Sequence, residues 1–142
     1  GIILGLLAAE MCAREGKDPG ELYAGLTKAI RPVFYGRTDV KATDEDKKKI
    51  KGLEAEKLKS VITEVAASKV TDILDRAPGN RQPFGGIKVL TERGWFAVRP
   101  SGTEDLYKVY AESFVSEDGL RSIQQDAEAL MNRVLGKSVT QP

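Results

Sequence analysis

The 142 residues suit one domain, or one domain with an appendage. Twenty-two basic against 21 acidic residues leave a net charge of +1, so there is no broad electrostatic footprint for nucleic acid and any phosphate binding must be local. With no histidine and one cysteine, histidine triads, histidine bases, histidine metal sites and an intrachain disulfide are all excluded.

The chain opens on "GIILGLLAA", an apolar run ended by Glu10. Nine residues are too few to span a bilayer, and the basic leader of a signal peptide is missing. Residues 2–14 read as a helix that is apolar on nearly every side and expects cover all round, as in a piece of a larger protein. Cys12 within it reads as a buried structural thiol. Gly16 ends the helix. Asp18-Pro19-Gly20-Glu21 supplies a cap, a first-turn proline and a capping-box glutamate for a second helix. Its stripe is Leu22, Leu26, Ala29 and Ile30, and Arg31-Pro32 stops it.

"VFYGRTDV" is short, aromatic and β-branched, which suits extended chain. Thr43 caps a polar turn or two of helix in "TDEDKKKIKG", which reads as a solvated surface helix. Leu58, Val61, Ile62 and Val65 give an apolar stripe, so a helix is expected over 54–67. "KVTDILD" reads as a strand and "APGNRQPFGG" as a loop, in which Arg81 reads as a solvated arginine, with approach to a ligand as the alternative. "IKVL" and "WFAV", joined by "TERG", form a hairpin in which Trp95 and Phe96 read as core aromatics. "LYKVYAESF" is a further strand. Ser116 caps a final helix with a stripe of Leu120, Ile123, Ala127, Leu130, Met131 and Val134. Gly136 ends it, and the tail "KSVTQP" is expected to fray. The order predicts an α+β fold: a four-stranded, mainly antiparallel sheet with helices packed on one face.

Between the last two strands lies "RPSGTEDLYK", residues 99–108. A guanidinium forks onto two oxygens of a phosphate, so Arg99 suits an anion. Ser101 and Thr103 donate hydroxyl hydrogens. Gly102 can adopt positive φ and let successive N–H groups converge. Lys108 brings a second cation. A plain turn, with Arg99 pairing Glu104 or Asp105, fits the same residues.

"GGIKV", "GWFAVRPSGTED" and "YKVYAESF", in this order, resemble the C-terminal domain of the α-D-phosphohexomutase superfamily, and within it the bacterial, glucose-type members. The resemblance implies a TATA-box-binding-protein-like domain over 38–142. It assigns 1–37 to closing helices of a preceding domain. It implies a cytoplasmic parent enzyme, an isomerase that interconverts glucose 1-phosphate and glucose 6-phosphate through glucose 1,6-bisphosphate with Mg2+. This domain would hold the phosphate not being transferred. By that resemblance Arg99, Ser101, the Gly102 backbone, Thr103 and Lys108 contact phosphate, and Glu104 supports them, for instance by orienting Arg99. No stretch resembles the superfamily's "TASHNP"-style serine loop, its "DGDGDR"-like metal loop or its "GEESG"-like sugar loop. The chain is therefore expected to bind no metal, to rely on the parent's other domains and to be inactive alone. The alternatives are the same domain of a phosphomannomutase or phosphoglucosamine mutase, or a free-standing phosphate-binding module. Nucleic acid and membrane partners are not expected.

Overall fold

The computed structural model describes residues 1–137, which fall into two compact units, 1–32 and from Val33 onward. The tail expected to fray lies, beyond Lys137, outside the described residues.

The first unit is two helices, α1 (Ile2–Glu15) and α2 (Pro19–Ile30). Gly16 ends α1 in the left-handed region at φ 63°, its N–H donating to the Cys12 carbonyl. α2 opens on the expected reciprocal cap. The Glu21 N–H donates to the Asp18 carboxylate (2.9 Å), and the Asp18 N–H donates to the Glu21 carboxylate (3.0 Å). Neither helix buries a residue, and Cys12, expected to be buried, is only half-buried. Two short cylinders touch along one line and cannot enclose a side chain between them.

The second unit is a six-stranded antiparallel sheet with helices on one face. Its elements are β1 (Phe34–Lys41), α3 (Asp44–Lys51), α4 (Ala55–Lys59), β2 (Glu64–Val65), β3 (Ser68–Arg76), β4 (Pro83–Thr91), β5 (Gly94–Pro100), β6 (Leu106–Ser113) and α5 (Glu117–Leu135). The strand order is β1-β6-β5-β4-β3-β2. The expected four strands are thus six. β1 is mostly polar and pairs residue for residue with β6, from Phe34↔Ser113 to Lys41↔Leu106. That partnership spans some 70 residues of chain, and no local pattern announces it. The boundary expected at 37/38 falls inside this strand.

Strand alternation builds the core. Tyr107, Val109 and Ala111 of β6, Phe96 and Val98 of β5, and Ile87 and Val89 of β4 are all buried. Against them α5 lays Leu120, Ile123, Ala127, Leu130 and Met131, the expected stripe, with Val134 at its margin. Ser116 caps α5, accepting from the Gly119 N–H at 3.0 Å, and Gly136 ends it at φ 69°. Ile50 of α3 and Ala55 of α4 complete the same layer. Phe96 is core as expected. Trp95 is not: it alternates onto the opposite face, where its Nε1 donates to Glu112 (2.8 Å) and the Lys88 ammonium lies 3.9 Å from its ring centre.

The helix expected over 54–67 stops at Lys59. The Leu58 carbonyl accepts from both Val61 and Ile62, and Glu64–Val65 then turns back onto Ser68–Lys69. Val61, Ile62, Thr63 and Val65 are β-branched and favour extended chain. Ile62 and Val65 are buried as the stripe implied, but from a turn and a strand rather than one helix. Ala66 and Ala67 make that hairpin's turn at φ 48° and 54°, where glycine or asparagine is usual. The loop expected over 77–86 is shorter, because β4 begins at Pro83.

Candidate functional site

β3 ends, β4 begins, β5 ends and β6 begins at one end of the sheet. Two loops emerge there, 77–82 and 101–105. The second crosses between interior strands, and the Ser101 N–H donates to the Leu106 carbonyl (2.9 Å) to close its neck.

Arg99 and Lys108 are directly opposed in the β5–β6 register. Both alternate away from the buried Val98 and Tyr107, so both lie on the face opposite the helices. Like charges placed opposite one another across a strand pair repel. On its other side Lys108 faces Asp39 of β1, but that carboxylate is taken by Arg37 through two bonds of 2.8 Å. The Lys108 ammonium instead meets the Glu104 carboxylate at 3.1 Å, and the Ser101 hydroxyl donates to the same oxygen, Oε2, at 3.2 Å. Arg99 is exposed, and among the described residues its guanidinium makes no hydrogen bond or ion pair. The backbone N–H groups of Gly102 and Thr103 likewise meet no acceptor among the described residues.

The plain turn is therefore not what forms. Glu104 pairs with Lys108, and Asp105 pairs with Lys47 of α3 at 3.0 Å; neither reaches Arg99. The suggestion that Glu104 orients Arg99 fails for the same reason. Gly102 also departs from expectation. Its φ is not positive, and a Cβ there would meet nothing within 4 Å. The neck bond through Ser101 already turns the chain, leaving no geometric demand on Gly102.

Two residues that shape the loop escaped the sequence reading. The Lys47 ammonium holds Asp44 (2.9 Å), Asp105 (3.0 Å) and the Glu104 carbonyl (3.4 Å), while the Ala42 N–H donates to the Asp105 carbonyl at 3.0 Å. Those carboxylates hold the Lys47 ammonium above the usual lysine range, Asp44 more than Asp105. The supposed solvated helix is thus the loop's anchor. Gly86 is the other. A Cβ there would strike the Val98 carbonyl oxygen and lie 3.2 Å from the Arg99 Cα, so glycine lets β4 approach the root of the loop. Arg81 stands at the tip of the neighbouring loop at φ 58°.

The family model of the phosphoglucomutase/phosphomannomutase C-terminal domain matches residues 38–130, which contain the whole of β3 to β6 and this loop. The chain belongs to that family. Over 138 residues it is 44% identical to a phosphoglucomutase of Komagataeibacter xylinus, covering 97% of this chain and 24% of that protein. The chain thus spans about a quarter of the length of that relative. In this phosphoglucomutase/phosphomannomutase domain, the structure brings Arg99, Ser101, Glu104 and Lys108 together on one loop and its two roots. Thr103 is exposed on the loop, and its hydroxyl makes no hydrogen bond among the described residues. No helix among the described residues is long and apolar enough to cross a membrane.

Proposed function

We propose that the 101–105 loop and its two roots bind the phosphate group of a phosphosugar. The observation that carries this reading is the opposed pair Arg99 and Lys108. Two cations face each other across interior strands, one of them without a protein anion, beside two unclaimed N–H groups. A sheet gains nothing in stability from that arrangement, whereas an anion placed there relieves it. Arg99 would clamp two phosphate oxygens, Lys108 and the Ser101 and Thr103 hydroxyls would take others, and the unclaimed Gly102 and Thr103 N–H groups are further donors on the same loop.

On this reading the chain is the phosphate-gripping domain of a cytoplasmic phosphoglucomutase. That enzyme interconverts glucose 1-phosphate and glucose 6-phosphate through glucose 1,6-bisphosphate, and this domain holds the phosphate that is not moving. Sites that read phosphate and ignore the sugar serve both orientations of the intermediate. Mg2+, which would supply charge neutralisation for phosphoryl transfer, does not fit here: the described residues bring no three Cys, Asp or Glu side chains into a metal-holding group. No step of the chemistry is assigned to this chain, and its partners are the sugar phosphate and the remaining domains.

Titrating inorganic phosphate into the 142-residue chain tests the reading. Amide shifts should centre on residues 99–104 with an affinity of about millimolar. Shifts centred elsewhere would overturn it. The matched family includes both glucose- and mannose-type enzymes, and the sugar is decided by assaying the longer protein on glucose 1-phosphate against mannose 1-phosphate.

A further inference from the structure

We infer that Glu104 is a built-in competitor of the loop's ligand, and that it makes the loop selective for phosphoryl groups over carboxylates. This rests on the phosphate reading above. A single oxygen of Glu104 takes both the Ser101 hydroxyl (3.2 Å) and the Lys108 ammonium (3.1 Å). Those are two of the donors that an entering anion needs. Glu104 lies three residues from Ser101 and four from Lys108, so it competes from within the same short stretch at high effective concentration. Its side chain is 53% exposed, and it can swing into water without losing a buried environment.

An external carboxylate gains little by taking its place. It too can fork onto Arg99, as Asp39 does onto Arg37, but with its two oxygens and single charge spent there it has nothing left to displace a tethered rival from Ser101 and Lys108. A phosphoryl group brings three free oxygens and close to two charges. It can fork onto Arg99 and reach the Gly102 and Thr103 N–H groups, none of which Glu104 occupies, while it takes over Ser101 and Lys108. Only the larger anion recovers more than the displacement costs. Discrimination of this kind comes from a repulsive element set against the wrong ligand rather than from extra contacts to the right one.

The test uses the 142-residue chain, inorganic phosphate at about pH 8 where it is mainly the dianion, and acetate as the carboxylate probe. Amide shifts of residues 99–104 are followed in the native chain, in Glu104→Gln and in Glu104→Ala. The native chain should bind phosphate much more tightly than acetate. Both variants should bind phosphate more tightly, by about threefold to fivefold, the scale of one screened surface ion pair. Both should also bind acetate more tightly than the native chain does, and by a larger factor than for phosphate. Phosphate bound by the native chain but weakened in both variants would make Glu104 a support and overturn this inference alone. Tighter phosphate binding without a greater gain for acetate would overturn the selectivity. No response to phosphate in any of the three chains would remove the phosphate reading itself, and this inference with it.

Discussion

Arg99 at the end of β5 and Lys108 near the start of β6 are register partners on the sheet face opposite the helices. Two cations in that relationship repel, and the strands hold them together regardless because Val98, Tyr107 and Val109, their neighbours in sequence, are locked in the core. The backbone is fixed by one face of the sheet, and the other face is left to carry charge.

Arg99→Ala should abolish the phosphate response of the chain and leave its melting temperature unchanged. The guanidinium makes no bond to any described residue, so its removal costs the fold nothing. A charge-assisted bond lost from a ligand weakens binding by about tenfold to a hundredfold. A fall in melting temperature of several degrees would show that Arg99 serves the fold instead.

Lys47→Met keeps the aliphatic stem and deletes the ammonium that spans Asp44, Asp105 and the Glu104 carbonyl. The amides of Glu104 and Asp105 should shift, and phosphate affinity should fall by about threefold, the scale of a surface ion pair. Lys47→Arg should restore most of it. Affinity equal to that of the native chain in the Met variant would make this contact incidental.

Much of this was legible before the structure, and for uneven reasons. Caps are local chemistry, so Asp18 with Glu21, Thr43 and Ser116 all stand where side-chain spacing places them. The Arg99–Thr103 turn is likewise contiguous. Pairing between distant segments is not local. β1 shows its extended character in "VFYGRTDV" but not its pairing with β6, and Lys47 lies 58 residues from Asp105, one of the two aspartates it holds. Trp95 shows the limit of alternation. The pattern says that Trp95 and Phe96 point to opposite faces, but only the docking of α5 says which face is dry.

Gly86→Ala should destabilise the chain by about 1–3 kcal/mol, the usual cost of forcing a methyl group against a packed backbone. The new Cβ must displace the Val98 carbonyl oxygen, and it presses on Arg99. Thermal melts should show the loss, and the residue 99–104 amides should shift even without ligand. Gly102→Ala provides the contrast. A Cβ there meets open space, and melting should not change.

Asp46 makes stability depend on acid. Its carboxylate is buried, accepts from the Lys137 ammonium at 2.7 Å and from the Thr43 N–H at 3.0 Å, and is held below the ordinary aspartate value of 3.8, mainly by Lys137 and then by Thr43. A depressed carboxyl favours the folded state above the unfolded value, and that contribution is lost as pH falls through the lower, folded one. Denaturant melts of the native chain should weaken as pH drops below about 4. Asp46→Asn should lose about 1 kcal/mol at neutral pH, as cap removal does, and show a flatter acid limb. Parallel acid limbs in the two proteins would assign the acid sensitivity to other carboxyls.

The 101–105 loop joins β5 and β6, and each of these strands has a hydrogen-bonded neighbour on both sides. Such a loop has no free edge strand on which to swing. Its roots can shift only if the ladders to β1 and β4 shift with them. A ligand held there is gripped by the sheet as by a vice bolted to the bench, and tugging on it loads the strands from β1 to β4 together. On the proposed reading, a bound phosphate could not move without moving the sheet.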